Sequence, residues 1–217
     1  MKSPAYYIAI EGVIGVGKSS LARLLAEKLG ARLVLERFED NPFLSDFYKD
    51  RKRYAFQTQL FFLLSRYRQQ LELMQPDLFH KNLITDYMFI KDKLFAYLNL
   101  DEKEIVLYDQ LLNLLVKQVA TPDLLIYLQA DTERLMHNIK LRGRTYEKNM
   151  DRDYIEALNQ IYNQFFFRYS QSPLLIINTT DIDFVNRDED LEELIGYIRQ
   201  SPSGTRHYHP GKGKNRC

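Results

Sequence analysis

One stretch constrains this chain more than any other: Tyr6-Tyr7-Ile8-Ala9-Ile10-Glu11-Gly12-Val13-Ile14-Gly15-Val16-Gly17-Lys18-Ser19-Ser20. An apolar, β-rich run passes into G-x-x-x-x-G-K-S, with Gly12, Gly17, Lys18 and Ser19 in register. Leucines at 21, 24, 25 and 29 follow at helical spacing. Strand, glycine loop and helix in that order are what a phosphate-binding P-loop requires. Gly12, Gly15 and Gly17 let the backbone form a nest of N–H groups around an anion. The helix start at Lys18, Ser19 and Ser20 adds partial positive charge. Lys18 is placed to reach the outer phosphates of ATP, and Ser19 to ligate Mg²⁺.

The remaining chain alternates short apolar runs with helical patterns. Residues 32–35, 83–86, 124–128 and 174–177 read as buried strands, and 54–74, 91–98, 101–119, 132–141, 151–169 and 189–199 as helices. This alternation predicts an α/β fold with a five-stranded parallel sheet flanked by helices. Short all-apolar strands agree, because such a sheet is covered on both faces. The long helix over 54–74 carries Leu60-Phe61-Phe62-Leu63-Leu64, apolar all round, which predicts deep burial. We read residues 1–200 as one domain and 201–217, rich in Ser, Pro, Gly, His and basic residues, as a disordered basic tail.

Bulk properties exclude several classes. Net charge is +1, and setting aside Arg206, Lys212, Lys214 and Arg216 of the tail leaves a slightly acidic body, which argues against a nucleic-acid partner. The single cysteine, Cys217, permits no internal disulfide and fits a reducing cytoplasm. No apolar run approaches the ~18 residues of a membrane span, and Glu11 with the P-loop behind it rules out a signal peptide.

Ligands of an open parallel sheet sit beyond the carboxyl ends of its strands. Glu36 follows the second strand there and Asp86 the third. Asp86 suits the outer-shell Mg²⁺ partner of a P-loop. Glu36 suits a general base toward a hydroxyl acceptor, or else an ion pair with neighbouring Arg37. Arg142 and Arg144 flank Gly143 beyond a helix, a pattern for a mobile helical lid whose guanidiniums grip phosphoryl oxygens. Gln59, Phe62 and Arg66 share one face of the long helix, turned either to a ligand or to water. No N-K-x-D or D-x-x-G motif marks a GTPase, and the R-G-R pattern favours small-molecule phosphoryl transfer with water excluded.

Over residues 5–199 the chain resembles the deoxyribonucleoside kinase family, and within it the bacterial deoxyadenosine/deoxyguanosine kinases. The resemblance rests on the P-loop, Glu36 with Asn41-Pro42 and Tyr48, and Tyr54-Ala55-Phe56-Gln57-Thr58-Gln59 through Ser65-Arg66. It continues in Asp86 with Asp92, Pro122 to Ala130, Leu141-Arg142-Gly143-Arg144 with Glu147, and Tyr154. It implies a P-loop kinase fold and ATP-dependent 5′-phosphorylation of a deoxyribonucleoside in salvage, with Glu36 as base. It implies that Gln59 reads the nucleobase edge beside Phe62, Arg66 and Asp92. Tyr48 and Glu147 would hold the sugar 3′-hydroxyl, with Tyr154 in the same pocket. Asp183 and Phe184 would lie near the ATP adenine. A homodimer is implied as well.

Departures bear on the substrate. The family commonly has Arg after the acidic residue that ends the third strand, where this chain has Tyr87. Arg37 is the candidate replacement, because many relatives have Pro at that place. Asn138 stands where some relatives carry another lid Arg, and Phe62 is larger than its counterpart in some. The pattern points to deoxyadenosine first, with deoxyguanosine and deoxycytidine behind it. The alternatives are a nucleoside monophosphate kinase of the thymidylate kinase type and a non-catalytic nucleotide-dependent switch.

Overall fold

The structure is a computed structural model, and it describes residues 6–73, 75, 80–148, 150–180, 182–200 and 203–208. Its centre is a parallel sheet of β1 (Tyr6–Gly12), β2 (Arg32–Val34), β3 (Asn82–Thr85), β4 (Leu124–Gln129), β5 (Leu174–Asn178) and β6 (Thr205–Tyr208). The strand order is β2-β3-β1-β4-β5-β6. Ile8 of β1 registers with Ile84 on one side and Leu124 on the other. These central residues are almost wholly shielded, as expected where helices cover both faces.

The helices are α1 (Lys18–Leu29), α2 (Leu44–Lys49), α3 (Arg51–Leu73), α4 (Lys91–Asn99), α5 (Glu102–Leu115), α6 (Thr132–Arg142), α7 (Arg152–Phe167) and α8 (Asp188–Arg199). Their ends follow local chemistry. Asp101 and Glu104 form a capping box at the start of α5. Asp131 accepts a hydrogen bond from the Arg134 N–H at 2.7 Å to open α6, and Gly143 ends that helix in the left-handed region at φ 67°. Among the described residues no helix is long and apolar enough to cross a membrane.

The structure corrects two expectations of the fold. Among the described residues the sheet has six strands, not five. The extra one, β6, lies inside the stretch read as a disordered tail and pairs with β5. Its sequence, Thr-Arg-His-Tyr, has no apolar run, and only Tyr208 is buried, edge-on to Tyr197 at 5.4 Å. Lys212, Lys214, Arg216 and Cys217 lie outside the described residues. The other correction concerns α3. Its buried face carries Thr58, Gln59, Arg66, Gln69 and Gln70 beside Ala55, Leu63 and Leu73, while Leu64 and Leu71 are exposed. Buried polar side chains on this scale need partners: Gln69 donates to the Leu35 carbonyl at 3.0 Å and Arg66 to Glu36 at the site.

Candidate active site

The glycine loop between β1 and α1 is packed too closely for side chains. A Cβ on Gly15, which has φ +88°, would lie 2.7 Å from the Leu135 carbonyl oxygen of α6. One on Gly12 would meet the Leu128 carbonyl oxygen at 2.6 Å. The Asn138 side chain donates to the Gly15 carbonyl at 2.8 Å, so α6 braces the loop. Lys18 folds back over the loop, donating to the carbonyls of Gly12 at 2.7 Å and Val13 at 3.2 Å. Burial first, then the nearby Lys91 charge, lower the Lys18 pKa to about 8.

Just past β3, Asp86 ties three elements together. One carboxylate oxygen accepts the Ser19 hydroxyl proton, and the other accepts the Glu36 backbone N–H at 2.7 Å. Ser19 and Asp86 are thus adjacent at the rim of the loop. A hydroxyl and one carboxylate facing a phosphate nest form a donor set that suits Mg²⁺, which keeps several waters and takes its other oxygens from phosphates.

Beyond this rim opens a cavity whose walls include Lys18, Glu36, Tyr48, Gln59, Phe62 and Arg66. Glu36 stands where the cavity meets the P-loop. Its Oε1 accepts from Arg66 Nε at 2.6 Å, and its Oε2 accepts from Lys91 Nζ at 2.6 Å. Burial pushes its carboxyl up, but the charges of Arg66 and Lys91 outweigh this and hold it at about 2. Glu36 is therefore ionised and aimed into an aromatic cavity next to a phosphate nest. Arg37 does not pair with it: that guanidinium lies on the outside, 3.3 Å from Glu72.

A sequence model described as deoxynucleoside kinase matches residues 8–201. The chain belongs to the deoxynucleoside kinase family. It is 35% identical over 202 residues to a deoxyguanosine kinase of Bacillus subtilis (strain 168), covering 90% of this chain and 97% of that one. It is likewise 35% identical over 195 residues to a deoxyadenosine kinase of Dictyostelium discoideum, covering 87% of this chain and 77% of the other. A solved deoxyadenosine kinase from M. mycoides with bound dATP superposes with TM-score 0.77 at 27% identity, over 89% of this chain and 99% of that one.

The kinase brings most of the residues singled out in its sequence to two neighbouring cavities. Gln59 is almost wholly buried, and its Oε1 has no partner among the described residues. Phe62 lies beneath the Arg66 guanidinium, 4.6 Å from ring centroid to carbon. Arg66 spans the pocket, pairing with Glu36 on one side and Asp92 on the other. Asp92 is fully shielded behind Arg66 and is not among the lining residues, so the expected contact with the nucleobase edge does not follow directly. Tyr48 stacks on Tyr146 at 5.8 Å, and Tyr154 packs against Phe47 with its hydroxyl 3.3 Å from the Asn99 amide.

Glu147 and the arginines of the lid form one cluster. Arg142 donates to both Glu147 oxygens, from Nη2 at 2.6 Å and from Nε at 3.1 Å. Arg144 lies over the Phe38 ring at 4.2 Å and 3.7 Å from both Glu147 and Glu39. Both arginines also line the neighbouring cavity, with Gly15, Gly17, Ser20, Asp183 and Phe184. Phe184 faces Gly17, and the Asp183 carboxylate is occupied by the Asn186 side chain and backbone.

Sequence reasoning missed Glu11 and Lys91. Glu11 is fully buried, accepting from the N–H groups of Met88 at 2.6 Å and Gly12 at 3.1 Å. A carboxylate inside the apolar central strand was the available signal. Lys91, not Arg37, stands beside Glu36; Tyr87 is buried, and its hydroxyl has no partner among the described residues. The signal for Lys91 was weak, because a Lys in a helical pattern reads as surface.

Proposed function

We propose that this kinase transfers the γ-phosphoryl group of ATP to the 5′-hydroxyl of deoxyadenosine, with Glu36 as base. The observation that carries the reading is an ionised, doubly clamped carboxylate between a phosphate nest and an aromatic cavity. The 5′-hydroxyl proton passes to Glu36. The oxygen's electron pair forms the new P–O bond, and the β–γ bridging oxygen departs with its electrons on ADP. Ser19 and Asp86 would hold Mg²⁺, which would offset phosphate charge. Relatives named for deoxyadenosine and deoxyguanosine support a purine. The Gln59 carbonyl, without a partner among the described residues, supports adenine, whose exocyclic amine can donate to it. α3 and α5 leave Leu64, Leu71, Val106, Leu107 and Leu114 exposed, which supports a homodimer.

The test is radiolabelled ATP with a panel of nucleosides and nucleoside monophosphates. Label in deoxynucleoside monophosphates is expected. Label only in diphosphates would favour a monophosphate kinase, and no transfer would favour a switch.

Two further results are expected. Arg144→Ala lowers the turnover number by about 10²–10³ and raises the ATP Michaelis constant less, because its charge is needed most as the phosphoryl group moves. A change confined to the Michaelis constant would make Arg144 a ground-state binder. Tyr48 and Glu147 lose a partner with 3′-deoxyadenosine analogues, at about 1–3 kcal/mol or more in catalytic efficiency. Equal efficiency on a deoxynucleoside and its 3′-deoxy analogue would contradict that placement.

A further inference from the structure

Lys91 breaks the local rules of its position. It is the first residue of α4, where the helix end carries partial positive charge and an acid is favoured. It is also only 3% exposed, and a buried ammonium is costly unless held by partners. Its partners are Glu36 Oε2 at 2.6 Å and Glu11 Oε1 at 3.9 Å. Glu11 is itself fixed by the Met88 and Gly12 N–H groups, so Lys91 is anchored to the strand that launches the P-loop. The groups facing Glu36 are Arg66 from α3, Lys91 from α4, Glu11 from β1, Lys18 from α1, Asp86 and Tyr87 past β3, and Tyr162 from α7. Of these, Arg66 holds Oε1 of Glu36 through both Nε and Nη2 and Lys91 holds Oε2, so Oε2 keeps a further lone pair for a hydroxyl proton. Places where sequence logic fails locally are expected to be functional.

We propose that Lys91 is a positioning residue for phosphoryl transfer, fixing the Glu36 carboxylate toward the acceptor hydroxyl with its own charge balanced by Glu11. The inference rests on Glu36 acting as base. Arg66 orients one oxygen from the nucleobase end of the pocket, and Lys91 orients the other from the phosphate end. When Glu36 takes the proton its charge is neutralised, and the Lys91 charge then faces the phosphate end of the cavity.

The experiment compares Lys91→Met, Lys91→Arg, Glu36→Gln and the Lys91→Met/Glu36→Gln double variant by steady-state kinetics. Lys91→Met is expected to lower the turnover number about 10²-fold, the scale of a misplaced reacting group, with little change in the ATP Michaelis constant. Lys91→Arg is expected to recover much of the loss. The double variant is expected to be no slower than Glu36→Gln within a few-fold, because Lys91 acts through Glu36. If Lys91→Met does not fold, Glu11→Gln/Lys91→Met removes the uncompensated carboxylate and carries the same comparison. Near-normal turnover without Lys91, no rescue by Arg, or losses that multiply in the double variant would overturn the role of Lys91 alone. Normal turnover in Glu36→Gln beside a loss in Lys91→Met would overturn Glu36 as base.

Discussion

Glu36→Gln lowers the turnover number by about 10²–10⁴ while ATP affinity stays nearly unchanged. The size follows from the surroundings of the carboxylate. Arg66 and Lys91 hold Glu36 ionised, with a pKa of about 2 against the upward push of burial, so it is always ready to accept but is a weak base. A weak base suits phosphoryl transfer, whose loose transition state asks for positioning and charge more than for early proton removal. The expected loss therefore lies toward the lower end of the range for proton transfer alone. Lost orientation adds to it, since an amide has one acceptor oxygen and an NH₂ that would face either Arg66 or Lys91. ATP affinity should hold, because the P-loop contacts of Lys18 and Asn138 do not involve the Glu36 side chain. Steady-state kinetics beside an ATP titration checks both. A variant with near-normal turnover would remove Glu36 from the base role.

Catalytic efficiency on the four natural deoxynucleosides is expected to rank deoxyadenosine first and thymidine last, with a separation of up to about 10⁴. A site that hydrogen-bonds a base edge discriminates strongly, because the wrong base leaves buried groups unpaired. In the proposed reading Gln59 decides the edge. Its buried Oε1 has no partner among the described residues and requires a donor, which the exocyclic amine of adenine or cytosine supplies while the Gln59 N–H groups meet the adjacent ring nitrogen. A thymine carbonyl opposite that oxygen would set acceptor against acceptor. Asp92 reinforces the choice only through Arg66, whose pairing with both Glu36 and Asp92 links the base pocket to the reacting end. Thymidine as the best substrate would contradict the acceptor orientation of Gln59. Deoxyguanosine as the best would mean the amide is turned over.

The P-loop, the parallel α/β sheet and the carboxylates beyond its strands were legible in the residues. Each rests on local chemistry: glycines at a tight turn, leucines at helical spacing, short apolar runs between caps. β6 was not legible, because an edge strand with only Tyr208 buried carries no apolar pattern. The face of α3 was misread for a related reason. Apolar residues at 60–64 suggested burial, yet of these only Leu63 is buried, and the helix turns Arg66 inward, where Glu36 and Asp92 pair with it from other elements.

The sequence by itself determined the glycine loop, the fold class and the carboxylate beyond the second strand, Glu36. Only the tertiary structure decided how that acid is held. Arg66 reaches Glu36 from α3 and Lys91 reaches it from α4, while Arg37, its neighbour in the chain, points outward to Glu72. The physical reason is that a buried charge takes its partners from whichever elements pack around it, and packing brings together residues that chain order keeps far apart.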